Sequence, residues 1–358
     1  MRKLIWVLLL LPLLALPAAA NEQPEIVETD ELLSELPEQA QAYLGDLGDA
    51  QEFSGTLREI LSGAFVEART AVGGAAALAG GALAIVLLCA VMDTMPHGAQ
   101  FDAVTLVGAL GIACLCAVSV RSMVSVATET IQTISDYSAF LLPALSAATV
   151  AAGGVRAGPA IYAATLLGTQ LLLRLMTKLL LPLVSLFLAL ATAQAAMEHP
   201  LLEKLKELIG SVISGCLKVV LTLFTGYLSV THLVTGAADA AKIKAMKLAV
   251  GGAVPVVGSI LSDASETVLV SAGILRNSIG VFGMLAILAV CCAPFLRIGA
   301  QYLILKLTAA LSGTVGKKQH TTLLSDLATA LGYLLAMMGV FSLLLLVCVV
   351  CFLRSVSG

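Results

Sequence analysis

The chain has 358 residues, 59% of them hydrophobic and only 12% charged, with a formal net charge of -3 and a mean hydropathy of +1.00. Roughly a quarter of the residues of an ordinary soluble domain are charged, so this composition excludes that class and implies a polytopic membrane protein. No basic cluster is interleaved with aromatic residues, so nucleic acid is not an expected partner.

The chain opens "MRKLIWVLLLLPLLALPAAANEQ". Arg2 and Lys3 precede an apolar run from Leu4 to Leu16, and Ala18 and Ala20 then stand in A-x-A order. This is the layout of a signal peptide over residues 1–20, with an uncleaved anchor as the alternative; either way the chain emerges outside the cytoplasm. Asn21 to Gly63 carries eleven acidic residues against one base, Arg58. The stretch is too polar to bury much surface, and residues 21–69 read as an acidic extracytoplasmic arm, either docking a basic partner or simply solvated.

Residues 70–358 are expected to form the membrane body. Residues 64 to 358 hold seventeen Lys and Arg against twelve Asp and Glu, a basic body that fits the positive-inside rule. A spanning helix takes about 20 apolar residues. Uncharged runs of that order are Thr70 to Met92, Ala103 to Val120, Tyr137 to Val155, Ala157 to Arg174 less its terminal Arg, Leu179 to Met197, Val219 to Ala238, Asn277 to Leu296 and Leu327 to Leu353. The fold class is therefore an all-α polytopic membrane protein with about six to eight transmembrane or re-entrant helices plus interfacial amphipathic helices.

Between the runs, "HPLLEKLKELIGSVISGCLK" places Leu201, Leu202, Leu205, Leu208 and Ile209 on one face and Glu203, Lys204, Lys206 and Glu207 largely opposite. It reads as an interfacial amphipathic helix. Lys242, Lys244 and Lys247 mark one basic stretch and "GKKQH" at 316 to 320 another. Both are expected on the cytoplasmic side, which requires an even number of crossings between them; runs 251 to 275 and 277 to 296 would supply two if the first crosses.

The stretch from Val250 to Asn277, "VGGAVPVVGSILSDASETVLVSAGILRN", is the least ordinary. Its longest uncharged part, Leu248 to Ser262, is fifteen residues and holds Pro255 and Gly258, the pattern of a broken or re-entrant helix. Asp263 and Glu266 follow. An ionised carboxylate in hydrocarbon costs about 2.5–3.5 kcal/mol or more, so the pair is either a capping box, with Asp263 as N-cap and Glu266 at N3, or a polar lining of a wet cavity. Pro143 and Pro182 repeat as Pro255 and Pro294 at an offset of 112 residues, as do Gly168 with Gly280 and Ala152 with Ala264; an internal duplication would produce this spacing.

All eight cysteines lie in apolar stretches, including "CVVC" at 348 to 351, and read as packing residues. The four histidines show no ligand spacing, so no metal site is expected. No nucleophile-base arrangement, H-E-x-x-H or P-loop occurs in the sequence, so neither an enzyme nor a resident cofactor is expected.

From Val254 to Gly258, through Asp263, Ala264, Thr267, Ser271, Asn277, Gly280 and Pro294 to "LKLTAAL" at Leu305 to Leu311, the sequence resembles the stage III sporulation protein AE family. Arg276-Asn277-Ser278 stands where the family often has Lys-Asn-Ala. The resemblance implies an integral membrane subunit of the mother cell membrane around the forespore, within a transenvelope channel complex required for forespore development and suspected of a permease-like role. It also implies other stage III sporulation membrane proteins as partners, an ATPase component and a forespore-side channel partner among them, with the arm between the two membranes. Pro255, Gly258, Asp263, Glu266, Arg276 and Asn277 are the expected pore-lining or partner-contact residues. A free-standing secondary transporter of a small solute is the alternative.

Overall fold

The computed structural model describes residues 53–93, 101–151, 157–197, 199–220, 222 and 258–354, and of 258–278 the backbone only. Among these residues there is no strand. The helices are α1 (Phe53–Asp93), α2 (Phe101–Ala151), α3 (Ala157–Leu175), α4 (Leu181–Met197), α5 (200–220), α6 (Gly258–Ser312) and α7 (Lys318–Arg354). A five-residue π-helical turn, Met176–Leu180, joins α3 to α4, with the Leu181 N–H donating to the Met176 carbonyl. Its cause lies one residue further on: Pro182 has no N–H to give and its ring would press on the carbonyl four residues back, which a widened turn avoids.

Five stretches are long and apolar enough to cross a membrane: Arg58–Asp93, Ala103–Ala151, Thr165–Met197, Ile279–Ser312 and Lys318–Val350. The protein is thus an all-α polytopic membrane protein. The expected run Val219 to Ala238 lies almost wholly outside the described residues, as do the signal peptide and most of the arm.

Three boundaries differ from the sequence reading. The run Ala103 to Val120 and the described part of the run Tyr137 to Val155, as far as Ala151, belong to one 51-residue helix, α2. The runs on either side of Lys178 are continuous through the π turn. Finally, α6 runs 55 residues without a break, through Pro294. Residues 258–275 therefore do not form a helix separate from 277–296; the part of the first run before Gly258 lies outside the described residues. The helix also begins at Gly258, which puts Asp263 in its second turn rather than at its N-cap. Nor do the boundaries follow the proposed duplication: the counterpart of α6 at an offset of 112 residues would run from 146 to 200, across the end of α2 and the start of α3.

Continuity follows from how the polar residues of α2 are satisfied. Thr128 and Thr130 donate to the carbonyls of Val124 and Val126 (2.7 Å each), Thr133 donates to Glu129 (2.9 Å), and Ser125 donates to the Glu129 carboxylate (2.7 Å). Each hydroxyl finds a partner one turn away, so the polar interval neither breaks the helix nor needs a neighbouring element.

Side-chain contacts fix the helix directions. Gly81 and Gly111 pack on Leu115 and Ile85, making α1 and α2 antiparallel. Gly332 and Gly339 face Tyr302 and Phe295, making α6 and α7 antiparallel. Thr165 meets Cys348 and Phe187 meets Tyr333, so α3 and α4 also run against α7. The Lys206–Asp326 pair, with Tyr333 over Gly210, sets α5 parallel to α7. Consequently the end of α1, the starts of α2, α5 and α7 and the end of α6 share one face of the bundle, here the turn face.

Exposed apolar residues run along the whole bundle, from Phe65, Val66 and Leu171 to those near the turn face. α1 exposes Arg58, Glu59, Glu67 and Arg69 in its first half but Leu87, Leu88, Val91 and Met92 at its end. α2 exposes Leu106, Val107, Leu110 and Val118 first, then Arg121, Ser125, Glu129 and Asp136. α7 lies in the centre: half of its most apolar window is buried, against 22% for α1.

Candidate functional site

Two polar nodes sit near the turn face. In the first, the five-residue connection between α6 and α7 folds back on α1 and α2. Gly316 donates to the Ser312 carbonyl (2.7 Å), and a Cβ at Gly316 would collide with Val86 and with that same carbonyl, so only glycine lets the turn seat against α1. Lys317 Nζ then lies 3.1 Å from Asp93 Oδ1 and donates to Thr105 Oγ1 (2.6 Å). His320 is fully buried, and its Nε2 stands 3.1 Å from the Thr105 carbonyl. Because a carbonyl only accepts, Nε2 carries the proton. "GKKQH" is therefore a folded corner and not a free basic loop. Gly108 completes it: a Cβ there would fall 2.5 Å from Cys89 Sγ and 2.7 Å from His320 Nε2.

The second node is open. Lys206 of α5, which the amphipathic pattern places on the polar outer side, is buried, with Nζ 2.6 Å from Asp326 Oδ2 of α7 and side chains only 8% and 15% exposed. Leu201, Leu205 and Leu208 of the apolar face are exposed. The helix is thus turned about: Lys206, Gly210, Ile213 and Leu217 face the bundle. Amphipathicity defines two faces but not which one meets protein, and where the surroundings are lipid the apolar face can point outward.

Beside this pair, α5, α6 and α7 enclose a groove of about 410 Å³ lined by Ser214, Lys218, Tyr302, Lys306, Thr329 and Tyr333 among others. Lys306 Nζ donates to Ser325 Oγ (3.1 Å). Tyr333 is held edge-on to Phe187 of α4, ring centroids 5.4 Å apart at 84°, a geometry that fixes the ring plane. Its hydroxyl sits over Gly210, where a Cβ would come within 2.6 Å. Among the described residues the groove lining carries two ammonium groups and no carboxylate; Asp326, taken by Lys206, is also under the influence of Lys306 and Glu203.

The residues singled out from the sequence are elsewhere. Pro255 lies outside the described residues. Gly258, Asp263, Glu266, Arg276 and Asn277 occupy the first twenty residues of α6, and even Asn277 is 25 residues, roughly 37 Å of helix, from Tyr302. They share a helix with the groove without belonging to it. Lys206, Lys218, Lys306 and Asp326 were missed because they are far apart in sequence. Three of them shared a signal: Lys218, Lys306 and Asp326 are each a single charge beside apolar sequence, as with Asp326 just ahead of Leu327 to Leu353, whereas Lys206 was hidden among Glu203, Lys204 and Glu207.

Among the described residues no group of His, Cys, Asp and Glu has the arrangement of a metal site. Cys348 of "CVVC" packs against Thr165, with Sγ and Oγ1 2.8 Å apart and both buried.

Comparison with known proteins adds the last observation. The profile of the family described as stage III sporulation protein AE matches residues 43–355. The chain is 24% identical over 271 residues to the stage III sporulation protein AE of Bacillus subtilis (strain 168), covering 75% of this chain and 68% of that protein. No solved structure matches it.

Proposed function

The chain belongs to the stage III sporulation protein AE family, so its role is in sporulation, and from that premise we propose that it is a nonenzymatic, permease-like subunit of a channel complex joining mother cell and forespore. The observation that supports a conduit is the groove between α5, α6 and α7, where lysines, tyrosines and the Lys206–Asp326 pair stand among helices apolar enough to span a membrane. Ionisable groups at such depth are expensive and are kept where a pathway or a partner uses them.

In this reading the acidic arm lies between the two membranes and α1 leaves it toward the mother-cell cytoplasm. The turn face would then be cytoplasmic, the side from which an ATPase component would act, with the forespore-side partner meeting the opposite end. On the same proposal the protein sits in the mother-cell membrane around the forespore.

Spore yield tests this, with protein level measured in the same cells. Asp326→Ala is expected to abolish sporulation, and the exchanged pair Lys206→Asp with Asp326→Lys to restore stability more than function. Normal sporulation in Asp326→Ala would remove the groove from the proposal. Asp263→Ala and Glu266→Ala test the start of α6 in the same way. Uptake of a solute by the purified protein alone in vesicles would instead point to a free-standing transporter.

A further inference from the structure

The groove poses an electrostatic problem that its own residues do not solve. α5 runs parallel to α7, and the contacts climb in step: Lys206 beside Asp326, then Gly210 beside Tyr333, with Lys218 facing the groove alongside Ala336 and Val340. On the other wall Lys306 is level with Ser325 and Tyr302 with Gly332. Around this depth Leu205, Leu208 and Val212 on α5 and Leu303 and Leu307 on α6 are exposed, beside Glu203, Lys204 and Glu207 of α5. At the groove itself Lys306 is half-buried and Lys218 exposed. Lys206 and Lys306 both act on Asp326, whose carboxylate is already taken by Lys206, and the described lining of the groove holds no carboxylate. A charge between apolar helices is costly unless paired.

We infer that the groove between α5, α6 and α7 binds a phosphate-bearing anion, supplied in the membrane by the headgroup of an anionic phospholipid. Lys218 and Lys306 provide the charge, and the hydroxyls of Tyr302, Tyr333 and Ser214 provide donors for phosphate or glycerol oxygens. The volume of about 410 Å³ falls in the range of ligand sites, and basic pockets between transmembrane helices are where such headgroups dock. The outward leucines of α5 offer the acyl chains a surface continuous with the mouth of the groove. The inference rests on the conduit reading only for the depth of the groove in the bilayer.

The test uses full-length protein reconstituted in vesicles of phosphatidylcholine with a minor share of phosphatidylglycerol, then extracted and examined by native mass spectrometry for retained lipid. Phosphatidylglycerol should be enriched over phosphatidylcholine. Retention should fall about fivefold in each of Lys218→Gln and Lys306→Gln, the effect of removing one charge from an anionic-lipid contact. It should be unchanged in Lys204→Gln, whose side chain is exposed on α5 outside the groove lining. The pair Lys218→Arg with Lys306→Arg should keep the lipid, which separates charge from folding. In a second arm inorganic phosphate is added. No displacement by millimolar phosphate assigns the site to lipid; displacement, with phosphate binding lost in the Gln variants, assigns the same chemistry to a soluble phosphate-bearing solute. Equal retention of the two lipids without phosphate binding, or an equal loss in Lys204→Gln, would overturn the inference. Because lipid is read on purified protein and conduit function as spore yield, either can fail without the other.

Discussion

The two ion pairs near the turn face use the same chemistry to opposite ends. Asp93 and Lys317 belong to a closed corner: Gly108 and Gly316 bring three helices and a turn so near that a single added carbon would collide with Cys89, His320 or Val86. Lys206 and Asp326 are more deeply buried, yet they border a groove with unfilled volume and surplus positive charge. A pair walled in by glycine contacts fixes where helix ends meet. A pair beside open space holds a helix in place while leaving room for something else.

That contrast can be broken at three points. The largest effect is expected from Asp326→Ala, which strands Lys206 in the interior; breaking a buried pair from one side costs about 3–5 kcal/mol, and the measurement is resistance to unfolding of the purified protein in detergent. Lys206→Met combined with Asp326→Leu should recover most of that loss, since apolar replacement of both partners is often neutral. If the double variant is stable but still fails to sporulate, the pair serves more than packing. Next comes Gly108→Ala. Overpacking of this kind costs about 1–3 kcal/mol, read as a lowered midpoint in the same assay; an unchanged midpoint would mean that the corner yields and is not closed. The smallest effect belongs to Asp93→Ala, whose partner Lys317 is 29% exposed and keeps its bond to Thr105. The expected loss is about 0.2–1 kcal/mol, diminishing with salt.

The class of fold was legible in composition, and the apolar runs fell inside the helices wherever the residues are described. Helix ends were not. Hydropathy records where a chain tolerates hydrocarbon, while a helix stops only where its backbone bonds stop; the interval from Arg121 to Asp136 is polar, yet its threonines bond back to the preceding turn and the helix continues. Orientation about the helix axis was equally hidden. In α5 the sequence contains both faces, but the inward turn of Lys206 depends on Asp326, 120 residues away. The groove was illegible for the same reason, since Lys218, Tyr302 and Tyr333 become neighbours only through packing. The stretch from Pro255 to Asn277 carries the strongest family resemblance in the sequence, and α6 places its described part far from the groove.

The lengths of the helices have a consequence for the space around the membrane. α7 has 37 residues, or roughly 55 Å at 1.5 Å per residue, against a hydrocarbon layer of about 30 Å. Even at a tilt of about 40°, the upper end for transmembrane helices, it would still span roughly 42 Å. Its uncharged run, Leu327 to Leu353, is about 40 Å long, so the excess lies on the turn side of that run, where Lys318 opens the helix. What meets the bundle there is held at a set distance from the lipid.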